Sequence, residues 1–170
     1  MTTFVSVGNT TQPFTRLLQA VCDNIASLPG PVFIQFGTAS NLIPDNCEGA
    51  AFVKMDEFFK RVAEADLVIL HGGAGSVIHA LRAGKLPVVM PRLAANGEHL
   101  DDHQLEFVRE LESKGRVVVC HSSSELPMVA AEALHRQGAG IRDSSEPPKL
   151  LYIVQESLRQ VLGPPPKESA

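Results

Sequence analysis

The stretch from Leu67 to Gln104 reads LVILHGGAGSVIHALRAGKLPVVMPRLAANGEHLDDHQ and decides the fold of this chain. An apolar run, Leu67–Leu70, turns through His71–Gly73 into a helical pattern, and a second apolar run follows at Pro87–Pro91. A glycine-rich turn between a strand and a helix lets backbone N–H groups approach an anion, and the helix N-terminus adds a positive dipole end. The turn therefore predicts a phosphate or diphosphate site, with a purely structural turn as an equal alternative.

Strands alternate with helices along the whole chain. Apolar runs predict strands at 4–7, 32–36, 50–53, 67–70, 87–91 and 117–120. Right-handed crossovers would join them into an α/β fold, a Rossmann-like parallel sheet with helices on both faces. Ligands of such sheets bind at the carboxyl ends of the strands, where Gly8, Gly37, His71 and Pro91 fall. One predicted helix begins with Asp56 as its cap and turns Phe58, Phe59, Val62 and Ala63 inward.

The predicted domain organisation has four parts. Residues 1–137 form the Rossmann-like domain, 138–149 a loop or hinge, 150–162 a C-terminal amphipathic helix, and 163–170 a disordered tail. The helix is a plausible docking element for a partner, although covering its own core is an equal alternative.

Composition and charge argue against a nucleic-acid-binding, a disulfide-stabilised or a membrane-spanning protein. The 170 residues carry a net charge of −4 without a dense Lys/Arg stripe, so no nucleic-acid partner is expected. Cys22, Cys47 and Cys120 have no paired spacing and indicate a reducing compartment rather than a disulfide frame. No signal peptide and no apolar run of roughly 20 residues is present, so a cytoplasmic protein is predicted.

The order HGGAGSVIHALRAGKLPVVMPR, then GEHLDDHQ, resembles the donor half of GT-B type glycosyltransferases. From about Phe4 to Cys120 the chain is similar to the C-terminal donor-binding domain of family 28 glycosyltransferases. It is also similar to soluble subunits of bacterial exopolysaccharide and eukaryotic dolichol-linked N-acetylglucosaminyl transferases. The resemblance implies the C-terminal half of a GT-B fold, a UDP-sugar donor, no cofactor and no required metal.

Three groups of site residues follow from the resemblance. The donor diphosphate is expected at Gly8, Asn9, Thr10, His71, Gly73, Gly75 and Ser76. The base or ribose is expected at Met55, Phe58 and His79, with Phe58 or Phe59 stacking on uracil. The sugar is expected at Arg92, Glu98, Asp102, His103 and Gln104.

Each group has a simpler alternative. The Gly8 loop is also a turn with a helix cap, and His71 is also a brace for its own turn. Phe58 and Phe59 also fit a core, and many family members have glutamate where His79 stands. Asp102 also suits a solvated helix start, and Arg92 also suits a surface ion pair.

A metal site is the rival chemistry. His99 and His103 are four residues apart, with Glu98, Asp101 and Asp102 close by. The sequence offers no third ligand at a fixed spacing, so no metal is predicted.

The resemblance implies a function that needs a partner. Glycosyl transfer requires a base for the acceptor hydroxyl, and two-domain relatives supply it from a domain that this chain lacks. The prediction is a soluble subunit of an inverting, UDP-sugar-dependent glycosyltransferase in exopolysaccharide biosynthesis. A membrane-associated subunit would recruit it to the inner membrane face and bind a polyprenyl-diphosphate-linked sugar acceptor.

Two other functions compete with this one. The alternative is a non-catalytic nucleotide-sugar-binding or regulatory subunit. An NAD enzyme is disfavoured because Gly8-Asn9-Thr10-Thr11 stands where a Gly-x-Gly-x-x-Gly turn is expected. Glucose, glucuronic acid and N-acetylglucosamine all remain open as donor sugars.

Overall fold

A computed structural model describes residues 1–39, Ile43 and residues 47–140 of the chain. The strands are β1 (Thr3–Ser6), β2 (Val32–Gln35), β3 (Glu48–Ala50), β4 (Leu67–His71), β5 (Val88–Met90) and β6 (Val118–Val119). The α-helices are α1 (Thr15–Asp23), α2 (Met55–Glu64), α3 (Ala74–Arg82), α4 (His103–Ser113) and α5 (Leu126–Gly138). Short 3-10 turns lie at Ile25–Ser27, Ala94–Asn96 and Ser123–Glu125.

The strands form one parallel sheet in the order β3-β2-β1-β4-β5-β6. The chain steps outward from β1 to β3, then returns to the other side of β1 with β4. This reversal is the point of an open α/β sheet where loops from neighbouring strands separate and leave a crevice. The loops after β1 and β4 flank that crevice.

Side-chain alternation along the strands divides the core into two layers. Val5 and Ile69 pack on one face against apolar residues of α1 and α5. Phe4, Val68 and Leu70 pack on the other face against α2, α3 and α4. Successive strand residues point to opposite faces, so near-continuous apolar runs are needed when helices cover both. The predicted Rossmann-like sheet with helices on both faces is confirmed.

The third strand differs from its prediction. It spans Glu48–Ala50 rather than residues 50–53, and Phe52 lies beyond its end with half of its surface exposed. A short edge strand pairs along one side only and is largely exposed here, so it lacks the apolar run that marks a buried strand. The apolar residues Phe52 and Val53 therefore led to a predicted strand that lies too far along the chain.

The following helix also begins differently. Lys54 holds the N-cap position of α2, and Asp56 lies inside the first turn, where its charge faces the positive helix end. Phe58 and Val62 are buried as predicted, whereas Phe59 and Ala63 are exposed because α2 turns only one narrow face to the sheet.

The predicted C-terminal parts are mostly outside the described residues. Gly138 is the last residue of α5 and Ala139 is its C-cap, whereas the predicted hinge from residue 141 onward, the helix at 150–162 and the tail at 163–170 lie outside the described residues. Within the described ranges, no helix is long and apolar enough to cross a membrane.

Candidate functional site

A cleft of about 520 Å³ opens at the carboxyl ends of β1, β2 and β4. Of the residues predicted for the site, its lining includes Gly8, Asn9, Met55, Phe58, His71, Gly73, Gly75, Ser76 and His79. The cleft therefore brings the residues of the predicted diphosphate group and of the predicted base group into one space, with α3 along one wall.

The N-terminus of α3 opens into this cleft. Gly73 is the N-cap residue and no side chain caps the helix. The first N–H bonded within the helix belongs to Val77, which donates to Gly73 O at 3.1 Å. The N–H groups of Ala74, Gly75 and Ser76 thus precede the helical hydrogen-bond pattern and are available to an anion. Space above Gly75 is open, since a Cβ placed there meets nothing within 4 Å.

His71 is held between the two glycine loops. A Cβ on Gly8 would lie 2.5 Å from the His71 Nε2, and a Cβ on Gly73 would lie 2.2 Å from the same atom. Gly8 also has a φ of 84°, a conformation that glycine adopts without strain. The imidazole therefore fixes the spacing between the loops after β1 and β4, and both glycines are required for that packing.

The His71 imidazole is neutral at pH 7. Burial lowers its pKa to about 4, and the nearby Arg92 charge acts in the same direction. In this environment the ring offers a neutral N–H donor, because charging it costs desolvation.

This pKa predicts a pH-dependent stability. Between pH 6.5 and 4 the unfolded chain binds a proton at His71 that the folded chain does not. The free energy of unfolding should therefore fall as pH drops from 7 to 5, by about 2 kcal/mol from this group. Urea unfolding at both pH values measures the change, which should be smaller by that amount in His71→Gln.

A second ionisable group, the Glu98 carboxyl, affects stability in a lower pH range than His71 does. Glu98 has a lowered pKa, so its contribution is lost below about pH 4.5, outside the measured range. An equal pH response in wild type and His71→Gln would contradict a buried neutral imidazole.

Two residues that the sequence did not assign to the site shape the first loop. The Ser6 hydroxyl donates to Gln35 Oε1 at 3.0 Å and accepts the Gly8 N–H at 3.2 Å. Gln35 Nε2 donates to Asn9 Oδ1 at 2.8 Å. The sequence pattern that could have identified both residues is a polar residue at the carboxyl end of each of two adjacent buried strands.

The far end of the cleft carries aromatic rings. Phe59 stacks on His79 with ring centroids 3.9 Å apart and an interplanar angle of 16°. Phe58 is 8% exposed and packs edge-on against Phe4, so it is largely a core residue. Met55 is exposed at the rim. The exposed face at this end is therefore supplied by Phe59 with His79 rather than by Phe58.

Arg82 also lines the cleft, although the sequence did not single it out. Ser76, His79 and Arg82 follow one another at intervals of three along α3, which places them on one helix face. Burial lowers the pKa of His79, and the charge of Arg82 lowers it further.

Arg92 does not line the cleft and is fully buried. Its guanidinium donates to the carbonyl oxygens of Val7 at 2.8 Å, Gln12 at 3.1 Å and Glu98 at 2.9 Å. It also lies 4.6 Å from the centre of the Phe14 ring. Arg92 thus ties the loop after β5 to the loop after β1, and its burial contradicts the surface ion pair. A contact with the sugar stays a prediction.

Glu98 is likewise engaged by protein groups. Arg16 donates to both carboxylate oxygens at 3.0 and 2.9 Å, and the Leu93 N–H donates at 2.9 Å. Burial alone would raise the pKa of Glu98, but these hydrogen bonds outweigh it and lower the pKa. The ion pair therefore holds the loop after β5 against α1.

The remaining predicted residues lie at the start of α4 or, for Thr10, in the first loop, and none of them lines the cleft. Gln104 is buried against Gly72, and its Oε1 lies 3.4 Å from the Arg92 N–H. Asp102 is exposed and accepts the Ala94 N–H at 2.9 Å. His103 is exposed beside Asp101. Thr10, in the first loop, donates to Gln12 O at 3.4 Å. Their contacts with a sugar or diphosphate stay predictions.

The model of the glycosyltransferase family 28 C-terminal domain matches residues 2–147 of this chain. The chain belongs to this family. The UDP-N-acetylglucosamine transferase subunit ALG13 of Yarrowia lipolytica is 32% identical over 149 residues, which cover 81% of this chain and 74% of that protein. The predicted glycosyltransferase class is thereby confirmed.

Solved structures share the fold of this family 28 domain. The glycotransferase of kitacinnamycin superposes with a TM-score of 0.60 at 19% identity, over 81% of this chain and 37% of that chain. Acinetobacter baumannii MurG superposes with a TM-score of 0.56 at 20% identity, over 89% of this chain and 48% of that chain. The chain thus spans less than half of either structure, in agreement with the predicted half of a GT-B fold.

Proposed function

We propose that this family 28 domain is the donor-binding subunit of a UDP-sugar-dependent glycosyltransferase, with UDP-N-acetylglucosamine as the donor. The observation that carries the proposal is the uncapped N-terminus of α3 opening into the cleft beside His71. The name of the Yarrowia lipolytica relative supports the choice of sugar.

The diphosphate is the part of the donor that this geometry suits best. Backbone N–H groups at Ala74, Gly75 and Ser76 converge with the positive end of α3, and the Ser76 hydroxyl adds a donor. These groups are fixed before the reaction and would stabilise the charge that develops on the leaving phosphate. Such stabilisation requires no metal ion at the diphosphate.

The nucleoside would lie towards the aromatic end of the cleft. The Phe59–His79 stack presents a flat surface there, and stacking on an aromatic face suits a uracil ring. Polar groups of His79 and Arg82 lie on the same face of α3 as Ser76, so they are placed for the ribose hydroxyls. A histidine in the usual place of the ribose-binding glutamate would keep a hydrogen bond while removing a charge.

The transfer itself requires a base for the acceptor proton. The acceptor oxygen attacks the anomeric carbon, the bond from that carbon to the diphosphate breaks, and a base takes the acceptor proton. Among the described residues that line the cleft, none is aspartate or glutamate; of the two histidines, His71 is buried with a pKa of about 4, and His79 stacks on Phe59 at the end proposed for the nucleoside. A carboxylate or histidine from a second subunit is therefore the expected base.

The second subunit would also supply the acceptor site. We propose that it is membrane-associated, binds a polyprenyl-diphosphate-linked sugar, and recruits this cytoplasmic domain to the inner membrane face. Attack from the side opposite the leaving diphosphate would invert the anomeric configuration. Exopolysaccharide biosynthesis stays the predicted context for this transfer.

A non-catalytic donor-binding or regulatory subunit is the second candidate. The lack of a carboxylate among the described cleft residues favours a non-catalytic subunit as much as it favours a base supplied by a second subunit. Donor binding would be the same in both cases, so only transfer in the presence of the co-expressed partner distinguishes them.

Calorimetric titration tests the donor proposal. The purified chain is titrated with UDP, UDP-N-acetylglucosamine, UDP-glucose and UDP-glucuronic acid, each with and without a chelator. Saturable binding of one nucleotide per chain that survives the chelator is expected, with UDP-N-acetylglucosamine preferred among the sugars. Binding that disappears with the chelator would contradict the metal-free site. Equal affinity for all three UDP-sugars would contradict the assignment of the sugar.

A further inference from the structure

We propose that His99, Asp101 and His103 form a binding site for a first-row divalent transition-metal ion such as Zn²⁺, separate from the cleft. One ligand atom of each residue lies within 4.8 Å of the other two. The sequence placed two histidines four residues apart with carboxylates close by, but offered no third ligand at a fixed spacing. The fold supplies it, because Asp101 lies between the two imidazoles.

The separation between His99 and Asp101 matches metal coordination, whereas His103 and Asp101 are in direct contact and would have to separate around an ion. The Nδ1 of His99 and the Oδ1 of Asp101 are 3.4 Å apart, and the Nδ1 of His103 contacts the same carboxylate oxygen. Two ligands on a tetrahedral zinc ion with bonds of about 2.1 Å are about 3.4 Å apart. The two imidazole rings meet edge to face with centroids 4.9 Å apart, so both nitrogens converge on the carboxylate.

The flanking residues hold the segment in this arrangement. Glu98 is bound by Arg16, Asp102 accepts the Ala94 N–H, and Gln104 is buried against the main chain. These three residues use their side chains for protein contacts. Within the loop, the Asp101 N–H donates to the His99 Nδ1 at 3.4 Å and the His103 N–H donates to the Asp101 Oδ1 at 3.2 Å, so the three side chains are already close together and an ion would compete with these two hydrogen bonds.

The chemistry of the ligands selects the class of ion. Two imidazole nitrogens with one carboxylate oxygen suit zinc and its first-row neighbours, whereas Mg²⁺ and Ca²⁺ prefer oxygen ligands alone. Three protein ligands leave a fourth position for water. None of the three residues lines the cleft, so this site is independent of the diphosphate. Binding through Nδ1 also leaves the Nε2 of His103 for the predicted sugar contact.

The test uses Zn²⁺ alone with the tag-free full chain and no nucleotide, so its result does not depend on the proposed function. One Zn²⁺ per chain is expected, and a large excess of Mg²⁺ should not displace it. The double variant His99→Gln/His103→Gln should weaken Zn²⁺ binding by at least about 100-fold, since loss of an outer-shell partner alone costs 10–100-fold.

The matched control is His121→Gln/His135→Gln, which removes two histidines elsewhere in the described chain. It should bind Zn²⁺ as the wild type does. The proposal is overturned if the wild type takes up no Zn²⁺, if the first double variant keeps its affinity, or if the control loses as much. Asp101→Asn offers a milder second variant, whose affinity should fall between those of the wild type and the double variant.

Discussion

Gly75→Asp is expected to lower UDP affinity by about 100-fold or more while the domain stays folded. The new carboxylate would stand at the open N-terminus of α3, where the diphosphate is proposed to bind. One added negative charge about 5 Å from a phosphate charge costs roughly 3 kcal/mol at an effective dielectric constant near 20. The fold should tolerate it, because the site is open and aspartate in a first helical turn interacts favourably with the dipole.

Gly138→Asp is the matched control for this change. Gly138 is also helical and also has open space at its Cβ position, but it ends α5. The same charge is added there, so UDP affinity should stay at the wild-type value. Calorimetry measures affinity, and circular dichroism with thermal unfolding confirms the fold of both variants. Equal losses in the two variants, or tight UDP binding by Gly75→Asp, would contradict the assigned diphosphate position.

Gly73→Ala is expected to destabilise the domain by about 3 kcal/mol, although it lies only two residues from Gly75. Its Cβ would lie 2.2 Å from the His71 Nε2, and the ring is buried beside Gly8 with little freedom to move. The clash would separate the two glycine loops and should weaken UDP binding as well. Urea unfolding measures the change in the free energy of unfolding.

Two further variants isolate the cause. Gly75→Ala meets no atom and improves helix propensity, so it should stabilise the domain by about 0.5 kcal/mol. In a His71→Ala background, Gly73→Ala should cost far less than in the wild type, because the ring that it strikes is gone. A large cost of Gly73→Ala that persists in that background would show that the clash with His71 is not responsible.

The sheet and the position of the glycine-rich turn in the cleft were predictable because local patterns determine them. Apolar runs of the required length mark buried parallel strands, and a glycine-rich turn into a helix is typical of the carboxyl end of such a strand. The Leu67–Leu70 run and the His71–Gly73 turn needed no long-range information. The edge strand Glu48–Ala50 was displaced in the prediction because an exposed edge carries no comparable pattern.

The roles of individual polar side chains were harder to predict because they depend on distant partners. Arg92 looks in sequence like a surface or ligand-binding cation, yet it is buried by carbonyl groups that come from the first loop. Glu98 pairs with Arg16, which is 82 residues away. Spacing along the chain identifies residues that share a helix face, but it does not identify partners brought together by the sheet order.

The same limitation applied to the cleft lining. Gln35 and Ser6 become neighbours only because β1 and β2 are paired in register. The helical spacing of Phe59 fits a core and the resemblance suggests a uracil contact, and its stacking on His79 from another helix places it at the aromatic end.

Backbone NMR of the labelled chain during UDP titration tests the central claim most directly, because the claim is that main-chain N–H groups bind the diphosphate. The largest amide shifts are predicted at Ala74, Gly75 and Ser76, followed by the Gly8 loop. Smaller shifts are expected along α3 towards His79, and α5 should remain unchanged. A titration that saturates with its main shifts away from the start of α3 would contradict the account.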